Sequence, residues 1–170
     1  MSMKTALASL MGIAALALPA CAQKTDLSGT WELNLTKSFM ATEHSASDYH
    51  LTRVIEQKEG HIVITDSAVN KKILNIPVPD ATNKLEIVLD GKEQEIQIPG
   101  FLPFLPPVKE HLTAQWQGGT LDLQEREVNG AGYAERRLFL SEDGSELIVL
   151  VRRRDTYSEI EQRMVFDKRR

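Results

Sequence analysis

From residue 28 onward, apolar and polar positions alternate in short runs separated by turn residues, and the three-to-four spacing of an amphipathic helix is weak. The runs fall at 28–35, 50–58, 61–67, 71–78, 83–89, 92–98, 110–117, 120–128, 133–141, 145–154 and 158–167. Many of their members are β-branched or aromatic, as in half-buried strands. Asp90-Gly91, Gly118-Gly119, Asn129-Gly130 and Asp143-Gly144 are tight-turn dipeptides between such runs. Regularly spaced strands with turns between them predict an all-β antiparallel meander, hence a barrel or a sandwich. Closure would also remove the exposed edges on which strands aggregate.

The turns set a register for the C-terminal half. A two-residue turn at 143–144 puts 140 opposite 147, 138 opposite 149 and 136 opposite 151. Leu138, Leu140, Leu147, Val149 and Val151 then share one face, taken as the interior. The Gly118-Gly119 turn sets Trp116 opposite Leu121. A four-residue turn at 129–132 sets Leu123 opposite Leu138, Glu125 opposite Arg136 and Arg126 opposite Glu135. A last turn at 155–156 sets Val151 opposite Ile160 and Arg152 beside Glu159. Arg152 is then flanked by Glu135 and Glu159, and such opposite charges support the register.

This register turns Glu125, Arg136, Arg153 and Gln162 inward at one end of an otherwise apolar interior. Two arginines against one glutamate leave positive potential, suited to a carboxylate or another anionic head group. Apolar walls with a few converging polar groups are the usual form of a small-molecule site. The bland alternative is a satisfied Glu125–Arg136 pair with Arg153 at the rim in water.

Pro99-Gly100-Phe101-Leu102-Pro103-Phe104-Leu105-Pro106-Pro107-Val108 holds four prolines, two phenylalanines and no charge. Proline has no N–H for a central ladder, so this segment is a connection or an edge. Phe101 and Phe104 either cover a ligand or a partner surface, or fold over one barrel mouth as part of the core.

The first residues read differently. Lys4, the uncharged apolar run 6–18 and Ala20-Cys21-Ala22 form the three parts of a signal peptide cleaved before Gln23. Cys21, the only cysteine, also stands where a bacterial lipoprotein is acylated, with Leu18 and Ala20 at fitting positions and Pro19 at a poor one. The chain therefore divides into a signal peptide, 1–22, and one barrel domain, 23–170. The address is the periplasm or the extracellular space, or the outer membrane if Cys21 carries lipid.

The net charge of −4 becomes −5 when Lys4 is removed, which argues against a nucleic-acid partner. Beyond Cys21 there is no cysteine for a disulfide, a thiol nucleophile or a thiolate metal site. His44, His50, His61 and His111 have no zinc-ligand spacing, and no nucleophile elbow or phosphate-binding glycine loop occurs. The expectation is a non-enzymatic protein without metal or cofactor. Membrane contact would come only through Cys21 or the 99–108 segment. Oligomeric state is not written in the sequence.

Asp26-Leu27-Ser28-Gly29-Thr30-Trp31-Glu32-Leu33-Asn34-Leu35-Thr36-Lys37-Ser38 resembles the start of small exported bacterial proteins with lipocalin-like (calycin) domains. The hairpins around Leu138–Val151 and Glu161–Phe166 are similar to theirs too. Glu32 stands where a tyrosine often follows the tryptophan, and the proline-rich segment is not a family hallmark. The resemblance implies an all-β, antiparallel up-and-down barrel of about ten strands, of the lipocalin and fatty-acid-binding-protein kind, and binding of a small hydrophobic or amphipathic molecule. It also implies that Trp31 plugs the closed end under a basic residue from a late strand, with Arg163 or Arg153 as candidates. In the fatty-acid-binding proteins the first two strands are joined by a helical lid; 38–49 is a short polar counterpart, read as a loop or short helix. The alternative to ligand binding is a cell-envelope structural or interaction protein with a filled core, docking through 99–108.

Overall fold

The computed structural model describes residues 24–40, 49–69, 72–73, 76–77, 79–98, 106–128, 130, 132–154 and 157–170. Cys21, Phe101 and Phe104 lie outside the described residues, as do residues 41–48 of the expected loop or short helix. The described residues form twelve strands: β1 (Gly29–Leu33), β2 (His50–Lys58), β3 (His61–Val69), β4 (Lys72–Ile73), β5 (Ile76–Pro77), β6 (Ala81–Val88), β7 (Glu93–Ile98), β8 (Val108–Gln117), β9 (Thr120–Glu127), β10 (Tyr133–Leu140), β11 (Glu146–Arg154) and β12 (Glu159–Lys168). Ten form one antiparallel sheet in the order β6-β3-β2-β1-β12-β11-β10-β9-β8-β7, a nearly closed barrel.

Alternation carries the interior. Leu51, Ile55, Ile62, Ile64, Leu112, Ala114, Leu121, Leu123, Leu138, Leu147, Val149 and Phe166 are buried, while their neighbours along each strand mostly face out. The connections at 59–60, 89–92, 118–119 and 141–145 gather at the Trp31 end, and the others leave from the opposite mouth. At 143–144, Gly144 takes a φ of +69°, which the turn requires and other residues resist.

The structure bears out 140↔147, 138↔149, 136↔151 and Trp116↔Leu121. Two other pairings are corrected by two residues each. Leu121 faces Leu138, Leu123 faces Arg136, Glu125 faces Ala134 and Gln124 faces Glu135. The turn is wider than four residues: pairing stops at Arg126↔Tyr133, and the Glu127 N–H donates to the Gly132 carbonyl at 3.1 Å. Likewise Val151 faces Gln162 and Arg153 faces Ile160, because residues 155–158 all belong to the last turn. A shift of two leaves every side chain on its expected face. Arg152 still lies opposite Glu135 and still bonds Glu159, now diagonally. Arg126 reaches Glu93 at 2.9 Å rather than Glu135.

Two further expectations are corrected. The run 71–78 is not a barrel strand; β4 and β5 pair only with each other. Pro77, which has no N–H, limits any longer ladder there. Asp90-Gly91 joins β6 to β7 without making them a hairpin: these two strands are the ends of the sheet. Among the described residues the seam is spanned by the Gln94 side chain, whose Nε2 donates to the Val88 carbonyl at 2.9 Å while its Oε1 accepts from the Val88 N–H at 3.0 Å.

Candidate functional site

The closed end is built around Trp31, which is fully buried. Its indole N–H donates to the Leu27 carbonyl at 3.1 Å. Gly29, at a φ of +148°, has no Cβ to crowd the indole; one placed there would stand 3.4 Å from Nε1. The segment 25–28 crosses this end and is tied down by Gln57. The Leu27 N–H donates to Gln57 Oε1, and Gln57 Nε2 donates to the Thr25 carbonyl, both at 3.1 Å. The covering cation is Lys168, with Nζ 5.3 Å from the ring centroid, where Arg163 or Arg153 was expected. Lys168 is the direct partner of Trp31 on β12. Arg163 faces outward and donates to the Lys37 carbonyl at 3.0 Å.

Toward the mouth the interior changes character. A cavity of about 140 Å³ lies at the β6–β7 seam, lined by the apolar Ile64, Leu85, Ile98, Leu123 and Leu138 and by the polar Arg53, Asp66, Asn83, Lys84, Gln97 and Arg136. Arg53 is buried and holds Asp66 through Nε and one Nη, each at 2.7 Å. Its guanidinium also stands 4.9 Å from the centroid of the Phe166 ring. Alternation explains both members: Arg53 replaces an apolar residue between Leu51 and Ile55, and Asp66 lies directly opposite on β3. Reading β2 and β3 by the alternation used for β9 and β10 would have found this pair.

Of the residues expected inward, Glu125 is 2% exposed and receives Arg136 Nη2 at 2.8 Å. The other oxygen, Oε1, is buried with no hydrogen-bond partner. Arg136 is half-buried and lines both the seam cavity and a mouth pocket of about 40 Å³ formed with Glu110, Glu125, Glu127 and Arg153. Arg153 is corrected: it is exposed at the rim and has a partner, Glu127 at 3.8 Å. Gln162 is half-buried opposite Val151 and lines neither hollow at Arg136. Glu110 is a buried member the sequence reading missed. Burial pushes the Glu110 carboxyl above the usual carboxylate range, against the pull of Arg136 and Arg153. Burial does the same at Glu125, with Arg136 opposing and Glu110 adding to the rise.

A wider hollow of about 310 Å³ on the outer wall is lined by Phe39, Leu150 and charges already paired, such as Arg152 with Glu159. Among the described residues no cluster of histidines and carboxylates has the make-up of a metal site.

No protein-family model matches the chain, and no curated protein is similar to it. Solved structures do match. Fatty-acid-binding protein 1 of Echinococcus granulosus is 11% identical with a TM-score of 0.58, covering 84% of this chain and 96% of its own. The SAHS protein of Ramazzottius varieornatus is 11% identical with a TM-score of 0.59, covering 87% and 98%. The zebrafish ileal bile acid-binding protein, complexed with cholic acid, is 13% identical with a TM-score of 0.55, covering 84% and 98%. The chain has the fold of these fatty-acid-binding-protein-like barrels.

Proposed function

We propose that this protein is an exported, non-enzymatic barrel that binds a small apolar or amphipathic molecule carrying an anionic group. The observation that carries the reading is the seam cavity, where five apolar residues meet three cationic ones, Arg53, Lys84 and Arg136, against the single carboxylate of Asp66. Asp66 engages two nitrogens of Arg53 and Glu125 one of Arg136, so both keep donors for an anion. Neighbours of the same fold bear the names of fatty-acid and bile-acid binding, which supports a hydrophobic ligand. The apolar connection 99–107 starts beside Ile98, a wall of the cavity, so Phe101 and Phe104 are retained as ligand-covering residues. At about 140 Å³ the cavity suits a benzene-sized body or a short chain.

Export rests on residues 1–22, with cleavage before Gln23 or acylation at Cys21. Sequencing the mature N-terminus decides between these two routes. Binding is tested by calorimetric titration of hexanoate into wild type, Arg53→Met and Arg136→Met. Micromolar to millimolar binding by wild type, weakened by each variant, is expected. A second reading, a filled envelope protein docking through 99–108, is favoured by how much smaller the cavity is than ordinary ligand pockets of about 300–1,000 Å³. Failure of wild type to bind would leave that reading.

A further inference from the structure

Arg136 occupies a divided position. On one side it lines the seam cavity, and on the other it is held by Glu125 in the mouth pocket. Around Glu125, β8 contributes Glu110, its own strand Glu127, β10 Arg136 and Tyr133, and β11 Arg153, while β7 contributes the apolar Ile98. Arg53, Asp66 and Lys84 border the far side of the cavity. The mouth group thus holds three carboxylates and two guanidinium groups, a net charge of −1 when all are ionised. Glu125 is 2% exposed, and its Oε1 is buried without a partner. An ionised oxygen left so is unfavourable, whereas a protonated one could donate to a neighbouring carboxylate.

An anion arriving at Arg136 meets the donors that Glu125 leaves free and adds a second negative charge beside that carboxylate. If both stayed ionised, the net charge of the mouth group would go from −1 to −2, beside a Glu125 that is buried. We propose that anion capture at Arg136 is proton-coupled: the anion binds the Arg136 nitrogens that Glu125 leaves free, and Glu125, with Glu110 beside it, picks up one proton from solvent. No covalent bond changes, and the added proton cancels the added charge. The pair that can share it sits diagonally on adjacent strands, since Leu112 faces Glu125 and Glu110 faces Glu127. Burial already favours the neutral form of both carboxyls. By linkage, the anion raises proton affinity as much as the proton raises anion affinity.

The inference rests on the cavity being a ligand site, and its test separates the two. The probes are hexanesulfonate, ionised at every pH used, and hexanol, which is uncharged. Each is titrated calorimetrically into the protein between pH 5 and pH 8, in two buffers of different ionisation enthalpy. Sulfonate affinity should rise as pH falls, by at most about tenfold per unit for one linked proton, with uptake approaching one proton per ligand. Hexanol affinity should stay flat. Glu125→Gln should bind sulfonate at pH 8 as wild type does at pH 5, without proton uptake. Sulfonate binding with no pH dependence and no uptake would overturn the coupling and leave the ligand site standing. A pH dependence that persists unchanged in Glu125→Gln would also overturn it. Binding of neither probe at any pH would overturn the ligand site and the coupling together.

Discussion

Replacing Trp31 tests the closed end of the barrel directly. The residue is fully buried, so Trp31→Ala loses a whole indole's packing and leaves a cavity, worth about 3–5 kcal/mol. Two smaller contributions lie within that figure. The Leu27 carbonyl, in a fully buried residue, loses its donor, at about 1–3 kcal/mol. Lys168 loses the ring face beneath it, at about 0.5–1 kcal/mol for an exposed ammonium. Variants separate these effects. Trp31→Phe keeps an aromatic face and most of the volume but removes the N–H, so about 1–3 kcal/mol is expected. Lys168→Ala removes only the cover, so about 0.5–1 kcal/mol is expected. Equilibrium unfolding in urea, followed by circular dichroism, measures all three, with Trp116 as an independent fluorescence reporter. A loss under about 1 kcal/mol for Trp31→Ala would refute the plug. Equal losses for Phe and Ala would mean that the hydrogen bond, not ring volume, holds this end.

Three other outcomes follow from interior charges and the seam. Asp66→Ala strands the buried Arg53 and should cost about 3 kcal/mol in urea unfolding, the low end for a broken buried pair because Asp66 is partly exposed; a cost below about 1 kcal/mol would contradict the pairing. Glu110 has a carboxyl raised by burial, so its contribution to stability is full below the unfolded carboxylate range and is lost as pH rises through the folded value. Glu110→Gln should therefore melt higher than wild type at pH 7 and converge with it near pH 4, and a lower melting temperature at pH 7 would count against that sign. Gln94→Ala removes two bonds across the seam and should speed amide exchange at Val88 while costing about 1 kcal/mol globally; unchanged exchange at Val88 would show that the seam is held elsewhere.

Much of the barrel is legible from alternation alone, because burial on one sheet face enforces a period of two. Registers across two-residue glycine turns are legible too, as at 118–119 and 143–144. The turns at 127–132 and 155–158 are not, because a dipeptide marks a turn without fixing how many residues it consumes. Both errors were even-numbered, which is why Glu125 and Arg136 kept their inward faces. The seam is illegible for a different reason: Asp90-Gly91 has the chemistry of a hairpin turn, and whether the flanking strands then pair depends on the curvature of the whole sheet. Lys168 is not legible because the resemblance implies only a basic residue from a late strand, which Arg163 in β12 and Arg153 in β11 also satisfy, whereas the residue opposite Trp31 is the last of β12.

The sheet order has a consequence for chain connectivity. Every ladder but one joins strands that follow each other among the barrel strands; the exception is β1 with β12, which brings Trp31 against Lys168 across nearly the whole chain. Such a distant closure slows folding more than local hairpins do. A circular permutant opened between Asp90 and Gly91, with a short linker from β12 to β1, would cut where no ladder is interrupted. Its strands would run β7 through β12 and then β1, β2, β3 and β6, so that every pairing became one between successive barrel strands. Such a chain would make the β1–β12 ladder one more hairpin and leave the Val88–Gln94 bridge at the seam as the contact that joins its two ends.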